Sequence, residues 1–317
     1  MTPPTRITGL HHVTAIAGPA VENLEFYTST LGLRLVKKSV NQDDPGTYHL
    51  FYADAEGTPG TDVTFFPWDM MAPGRKGTGL TVELALAIPA GSLEFWRARL
   101  AELGVNPGEP EERFGERALP LTDPHGLELA LVETGNPRVF APWEKSPVSA
   151  HLQIQGLHAV RLLESDRAAT EAFLTDVLGF DRVGEESGWL RLGVGGGGSG
   201  RLLELKERPG VRRGAWGRGS VHHVAWRVPD ETIQREVQSR VAESGLRPTP
   251  VIDRFWFRSV YFREPGGALF EIATDGPGFA VDEDPAALGE RLVLPPWLES
   301  QRERIEAVLP ALEPARA

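Results

Sequence analysis

The chain has 317 residues, 41% hydrophobic and 24% charged, a globular composition with length for two domains, unlike disordered or fibrous chains. With 33 basic and 44 acidic residues the formal net charge is −11, which argues against the basic face that a nucleic-acid partner requires. Cysteine is absent, so disulfides, thiolate metal sites and cysteine nucleophiles are excluded, and a bound metal must take nitrogen and oxygen ligands.

The amino terminus, MTPPTRITGLHHV, has no apolar stretch of signal-peptide length, and no run of about 18 apolar residues occurs anywhere. A cytoplasmic protein with no membrane partner is expected. A strand is predicted over residues 10–16. An amphipathic helix follows, opened near Pro19 and closed at Leu31-Gly32, with Leu24, Tyr27 and Leu31 on its apolar face. Three short strands come next, over 34–40, 48–52 and 62–66. This βαβββ unit then recurs. Residues 9–36 and 156–183 align at an offset of 147, with identities at Gly9, Leu10, His11, Val13, Phe26, Thr28, Leu31, Gly32 and Val36. TVELALAIP at 81–89 matches VHHVAWRVP at 221–229, and RFGERALPLTDPHGLELA at 113–130 matches RFWFRSVYFREPGGALFE at 254–271.

Four modules result, at 6–68, 78–133, 154–207 and 219–274. The proline-broken segment 134–151 separates two halves. We therefore expect an α+β fold of four βαβββ modules paired into two domains with cupped mixed sheets: an N-terminal domain over 1–140, a C-terminal domain over 151–280 and a helical tail over 281–317, its helix at 296–312. The glycine run at 193–200 lacks a following helix and reads as a turn between strands, not a phosphate loop.

The repeat supplies an internal control. His12 stands opposite Ala159, His223 opposite Glu83, and Glu271 opposite Ala130, so the scaffold does not itself demand His, His or Glu at these places. All three lie on predicted apolar strands, where an ionised Glu is costly unless paired or bound to a cation. Two imidazoles and one carboxylate form the facial ligand set of non-haem Fe(II). The competing readings are hydrogen-bonded core histidines and a Glu271 on the solvated face of its strand. By strand parity His12 and Thr14 share a face, and His11 points away unless a bulge turns it. Arg254 and Arg258 recur as Arg113 and Arg117, which suits a role in the fold, whereas Tyr261 is Pro120 in the sister copy.

The repeated modules, the strand openings GLHHVT and SVHHVAW and the closing EPGGALFEIAT resemble the vicinal oxygen chelate superfamily of glyoxalases, bleomycin-resistance proteins and extradiol dioxygenases. The closer resemblance is to its ring-cleaving branch that includes chlorohydroquinone dioxygenases, and it covers residues 5–280. That resemblance implies Fe(II), or Mn(II) in some relatives, bound by His12, His223 and Glu271. It implies catalytic roles for His11, His222, Arg254 and Tyr261, and a polar pocket residue at Thr14. Trp226, Trp256 and Phe257 are expected to wall the substrate pocket. The implied activity is insertion of O₂ into a hydroquinone-type ring by a homo-oligomeric enzyme whose partners are a small aromatic substrate and O₂. The alternatives are a catechol extradiol dioxygenase, a glyoxalase-type isomerase and a non-enzymatic binding protein. An isomerase would want a fourth protein ligand near residues 64–66, and TFFPW offers none.

Overall fold

The computed structural model describes residues 6–135 and 138–312. Each module has the expected order of elements. The first holds β1 (Gly9–Ala17), α1 (Ala20–Glu25), β2 (Arg34–Asn41), β3 (Asp44–Ala53) and β4 (Asp62–Pro67). The second holds β5 (Leu80–Pro89), α2 (Leu93–Glu102), β6 (Glu111–Arg113), β7 (Glu116–Thr122) and β8 (Glu128–Thr134). In the third are β9 (Leu157–Glu164), α3 (Ala168–Ala172), β10 (Asp181–Glu186), β11 (Trp189–Gly193) and β12 (Leu202–Glu207). The fourth contains β13 (Val221–Val228), α4 (Glu231–Glu243), β14 (Ile252–Asp253), β15 (Arg258–Arg263) and β16 (Leu269–Thr274).

The strands form two curled, mixed sheets of eight. One runs β14-β15-β16-β13-β1-β4-β3-β2 and the other β10-β11-β12-β9-β5-β8-β7-β6. The outermost modules of the chain thus share one sheet and the two central modules share the other, so each sequence half contributes one module to each sheet. In the first sheet β1 and β13 meet antiparallel at the centre, and each has a parallel neighbour, β4 and β16 respectively. Every residue of β1 is buried. Its central place explains this: one face packs on the core with Val13, Ala15 and Ala17, and the other lines the concave side. Fully covered strands read as continuous apolar runs.

The helices of the first and third modules finish in a wide turn. Leu31 N–H donates to Phe26 O, and Leu178 N–H to Phe173 O, each five residues back. Gly32 at φ 75° and Gly179 at φ 70° then reverse the chain, a left-handed conformation that glycine adopts without a Cβ penalty. The wide turn sits at the repeated Phe26 and Phe173, so it belongs to the module rather than to a local accident.

The tail departs from expectation. In place of a helix over 296–312, a short turn leads to α5 (Arg302–Glu306), and Pro310 prevents continuation. Leu294, Leu298 and Ile305 pack with Val40. The rest of the tail is held by Lys37, whose side chain is fully buried. Its Nζ lies 2.7 Å from Asp282 Oδ1, 2.5 Å from Glu283 Oε2 and 3.0 Å from the Phe279 carbonyl. Asp282 also accepts from Trp256 Nε1 at 3.1 Å, so the same clamp fixes an aromatic wall of the concave face.

Replacing Lys37 by Met leaves the Glu283 carboxylate, which has 1% of its side chain exposed, buried and uncompensated. The Lys37→Met variant is expected to lose about 3–5 kcal/mol of stability, as for other broken buried pairs, measured by urea unfolding.

Candidate active site

Three adjacent strands bring His12, His223 and Glu271 together on the concave face of the first sheet. His12 pairs with Ala225 across β1 and β13, and Ala225 pairs with Glu271 across β13 and β16. His12 and Glu271 therefore stand at one level, separated by a methyl side chain. His223 lies two residues before Ala225, on the same face of β13. His12 Nε2 is 3.3 Å from Glu271 Oε2, His223 Nε2 is 3.0 Å from it, and the two Nε2 atoms are 3.2 Å apart.

This donor set fits a metal ion. Ligand atoms about 2.1 Å from a common cation, on one face of an octahedron, stand about 3 Å from each other. Glu271 Oε1 accepts from Ser259 Oγ at 2.5 Å, but the buried Oε2 has no hydrogen-bond donor. Burial pushes the Glu271 carboxyl up, and positive charge at the adjacent His12 and His223 outweighs it and holds the group well below the ordinary carboxylate range. Burial lowers His223 toward the neutral imidazole, the form that can ligate.

Each of these histidines is oriented from behind by the histidine that precedes it. His11 Nδ1 is 2.9 Å from His12 Nδ1, and His222 Nδ1 is 2.8 Å from His223 Nδ1. The pairing is possible because β1 slips register between Leu10 and His12, and the β1–β13 pairing slips again at His222. These bulges turn His11 and His222 toward their neighbours, against simple alternation. The network also assigns tautomers. His11 Nε2–H donates to the Thr274 carbonyl at 3.1 Å. His11 is neutral, because burial first and His12 second lower its pKa to about 3. Its Nδ1 is then an acceptor for His12 Nδ1–H, and His12 Nε2 keeps a free lone pair facing Glu271. By the same relay, a lone pair on His223 Nε2 puts a proton on His222 Nε2. Among the described residues no carbonyl takes up that proton: His222 lines the cavity, stacked on Trp216 at 4.3 Å and 23°, and burial lowers its pKa to about 3.

His12 and His223 open onto a cavity of about 480 Å³, with Glu271 buried behind them. Phe51, Phe66, Trp68, Trp256 and Phe257 form apolar walls, and Tyr261 on β15 and Arg254 in the turn before it also line the cavity. Arg254 Nε donates to Tyr261 Oη at 3.3 Å, and its Nη2 pairs with Asp43 at 2.8 Å. Burial and the Glu271 charge raise the Tyr261 pKa, so its hydroxyl stays protonated. Phe255 adopts φ 74°, as its repeat partner Phe114 adopts φ 52°. This tight turn, strained for an aromatic residue, delivers Trp256 and Phe257 to the cavity. Phe257 stands 5.2 Å from both the His11 and His12 rings.

Two sequence expectations need correcting. Trp226 does not line the cavity. Strand alternation turns it, next to Ala225, into the core, 4.8 Å from Phe180 and 5.9 Å from Phe270. Thr14 is covered rather than exposed to the cavity, with its Oγ1 2.7 Å from Thr64 Oγ1. Thr64 in turn lies 2.9 Å from His49 Nε2, and it is His49 that lines the cavity. Sequence reasoning missed His49, Asp43 and Trp68. The available signal for His49 was its parity with Phe51 on a half-apolar strand.

In the second sheet the corresponding concave face is closed. Arg113 pairs with Glu83, and Arg161 and Arg191 both bind Glu204, each at 2.6 Å, while Ala85, Ala118, Ala130 and Ala159 fill the remainder.

The sequence profile of the Glyoxalase/Bleomycin resistance protein/Dioxygenase superfamily matches residues 9–131 and 156–272. The chain belongs to that superfamily. It is 43% identical over 298 residues to the Bacillus subtilis protein named "Putative ring-cleaving dioxygenase MhqO", covering 94% of each chain. It is 32% identical over 310 residues to the chlorohydroquinone/hydroquinone 1,2-dioxygenase of Sphingobium indicum, covering 95% of this chain and 96% of that protein. The crystal structure of a "putative dioxygenase" from Bacillus subtilis superposes with a TM-score of 0.91 at 42% identity, over 98% and 99% of the two chains. No helix among the described residues is long and apolar enough to cross a membrane.

If His11 sets the His12 tautomer, His11→Leu should weaken binding of a divalent metal by about 10–100-fold, the usual effect of removing a partner behind a ligand. Competition with a chelator measures this, and an unchanged affinity would disprove the relay.

Proposed function

We propose that the protein is an Fe(II)-dependent ring-cleaving dioxygenase acting on a hydroquinone-type ring, with His12, His223 and Glu271 as the iron ligands; Mn(II) suits the same donors. The observation that carries this reading is a three-ligand set with no fourth protein ligand among the described residues. Thr14 pairs with Thr64 across β1 and β4 as Ala225 pairs with Glu271 across β13 and β16. Thr64 thus occupies the place related to Glu271 by the symmetry of the sheet, and its hydroxyl is engaged by Thr14 and His49. A metal-dependent isomerase would use a second carboxylate for proton transfer there. The names of the relatives described above support the ring-cleaving activity.

Ferrous iron in this set would supply open positions for O₂ and a ring hydroxyl and a path for electron density between them. Overall, both atoms of O₂ enter the product, one ring C–C bond breaks, and no external reductant is consumed. The chain's own residues do the rest. A hydroquinone can offer the metal one oxygen only, because its second hydroxyl lies across the ring, so side chains must orient it. Phe51, Trp256 and Phe257 enclose the ring and exclude water. Arg254, held cationic by Tyr261 and Asp43 against its desolvation, stabilises negative charge on the substrate oxygens. Tyr261 offers a protonated hydroxyl within reach of the same atoms, held by Arg254. His222 is the histidine we assign to proton transfer, because its Nε2–H faces the cavity whereas that of His11 is spent on a carbonyl. Holding the reacting atoms in register is where such a site gains rate.

His12→Ala, His223→Ala and Glu271→Ala should each lose most bound iron and activity while keeping the fold, since the repeat tolerates Ala at two of the equivalent positions. Metal analysis and circular dichroism test this. Iron-loaded enzyme should consume O₂ with a substituted hydroquinone. Turnover of catechol without any hydroquinone turnover would refute the substrate assignment and leave the metal site standing. Tyr261→Phe should lower kcat with iron content unchanged, read by the same O₂ electrode.

A further inference from the structure

The two segments that lead from one module to the next, 71–79 and 208–219, are the most basic part of an acidic protein. They hold Arg75, Lys76, Arg208, Arg212, Arg213 and Arg218 and no Asp or Glu, in a chain of net charge −11. They cross one another, bridged at Pro73–Arg218, Arg75–Ala215 and Thr78–Arg213. At the crossing lies a cavity of about 280 Å³, lined in part by Arg75, Lys76, His125 and Arg218. It is separate from the metal cavity, with which it shares no lining residue.

The polar groups at this crossing lack partners. Arg218 forms no ion pair and no side-chain hydrogen bond among the described residues, and its buried Nε has no acceptor. The His125 side chain is 4% exposed, and neither ring nitrogen makes a hydrogen bond; the nearest carboxylate oxygen, of the exposed Glu22, is 3.4 Å from Nε2. The two side chains are neighbours: a Cβ on Gly18 would stand 2.7 Å from the His125 ring and 3.3 Å from Arg218 Cδ. Arg75 donates only to the Arg213 carbonyl. Lys76 pairs with a local acid, Glu128. Buried N–H groups without acceptors are costly, and guanidinium groups recognise oxyanions by paired, charge-assisted hydrogen bonds.

We propose that this crossing is a binding site for a small oxyanion, phosphate or carboxylate, held by Arg218, Arg75 and His125. Trp216, two residues from Arg218, stacks on His222, so the bound anion would brace the segment that enters β13.

Phosphate and carboxylate oxygens present the same acceptors, so both inorganic phosphate and maleate are titrated into the full-length protein by calorimetry at low ionic strength. At least one should bind saturably with one site per chain. Arg218→Gln and Arg75→Gln should each weaken it at least tenfold, with Arg240→Gln, a remote surface change, leaving it intact. Tighter phosphate identifies a free phosphate or phosphate ester as the ligand, and tighter maleate a dicarboxylate. The proposal fails if neither anion binds saturably. It also fails if binding survives both changes, which would locate it in the metal cavity, or if Arg240→Gln weakens it equally. None of these outcomes bears on ring cleavage.

Discussion

The Glu271 carboxylate has no exposed side-chain surface, and one of its oxygens lacks a hydrogen-bond donor. A lone carboxylate in such surroundings costs several kcal/mol, and two neutral imidazoles do not offset it. A cation at the meeting point of Glu271, His12 and His223 does. The sheet is built to create that meeting point. A methyl side chain at Ala225 separates His12 from Glu271, two bulges turn the leading histidines inward, and the Thr274 carbonyl fixes which nitrogen of His11, and through it of His12, carries hydrogen. The precision resides in backbone registration, which is stiffer than any side-chain arrangement.

The second sheet shows what the same scaffold does without this donor set. Where the first has His, His and Glu around an opening, the second has Ala at two of the positions and a lattice of Arg–Glu pairs across the mouth. Both solutions satisfy buried charge. One uses guanidinium groups supplied by the chain; the other sets two imidazoles beside its carboxylate, an arrangement that suits a cation. The duplication therefore yields one sheet with a filled concave face and one with an open cavity.

Much of this was legible in the sequence because function broke a repeat. His12, His223 and Glu271 stood out against Ala159, Glu83 and Ala130, and the strand bounds followed from apolar runs between glycine and proline turns. What escaped depends on partners distant in the chain. Both faces of β13 are covered, so no alternation of polar and apolar residues marked Trp226 as a core residue rather than a pocket wall. The bulges at His11 and His222 exist only relative to the opposing strand. His49 sits in an ordinary strand sequence, and its place at the cavity follows from the Thr14–Thr64 contact across β1 and β4. The Asp43–Arg254 pair joins residues 211 positions apart, beyond any local pattern. The tail was misjudged because its apolar periodicity is interrupted by Pro310 and satisfied by packing on Val40.

The pairing of the first module with the last also constrains the order of assembly. His12 and His223 are 211 residues apart, and β1 meets its antiparallel partner only after β13 has been synthesised. Until then its covered face, which has no solvated side, has β4 on one edge and an open edge on the other. The central modules are close in sequence, and their sheet closes a much shorter loop, at lower entropic cost. The middle of the chain can therefore be finished while its beginning waits, and the sheet that holds His12, His223 and Glu271 is the last to gain its central pairing. For such a topology the vulnerable species is the nascent chain with β1 uncovered, exposed to pairing with other chains.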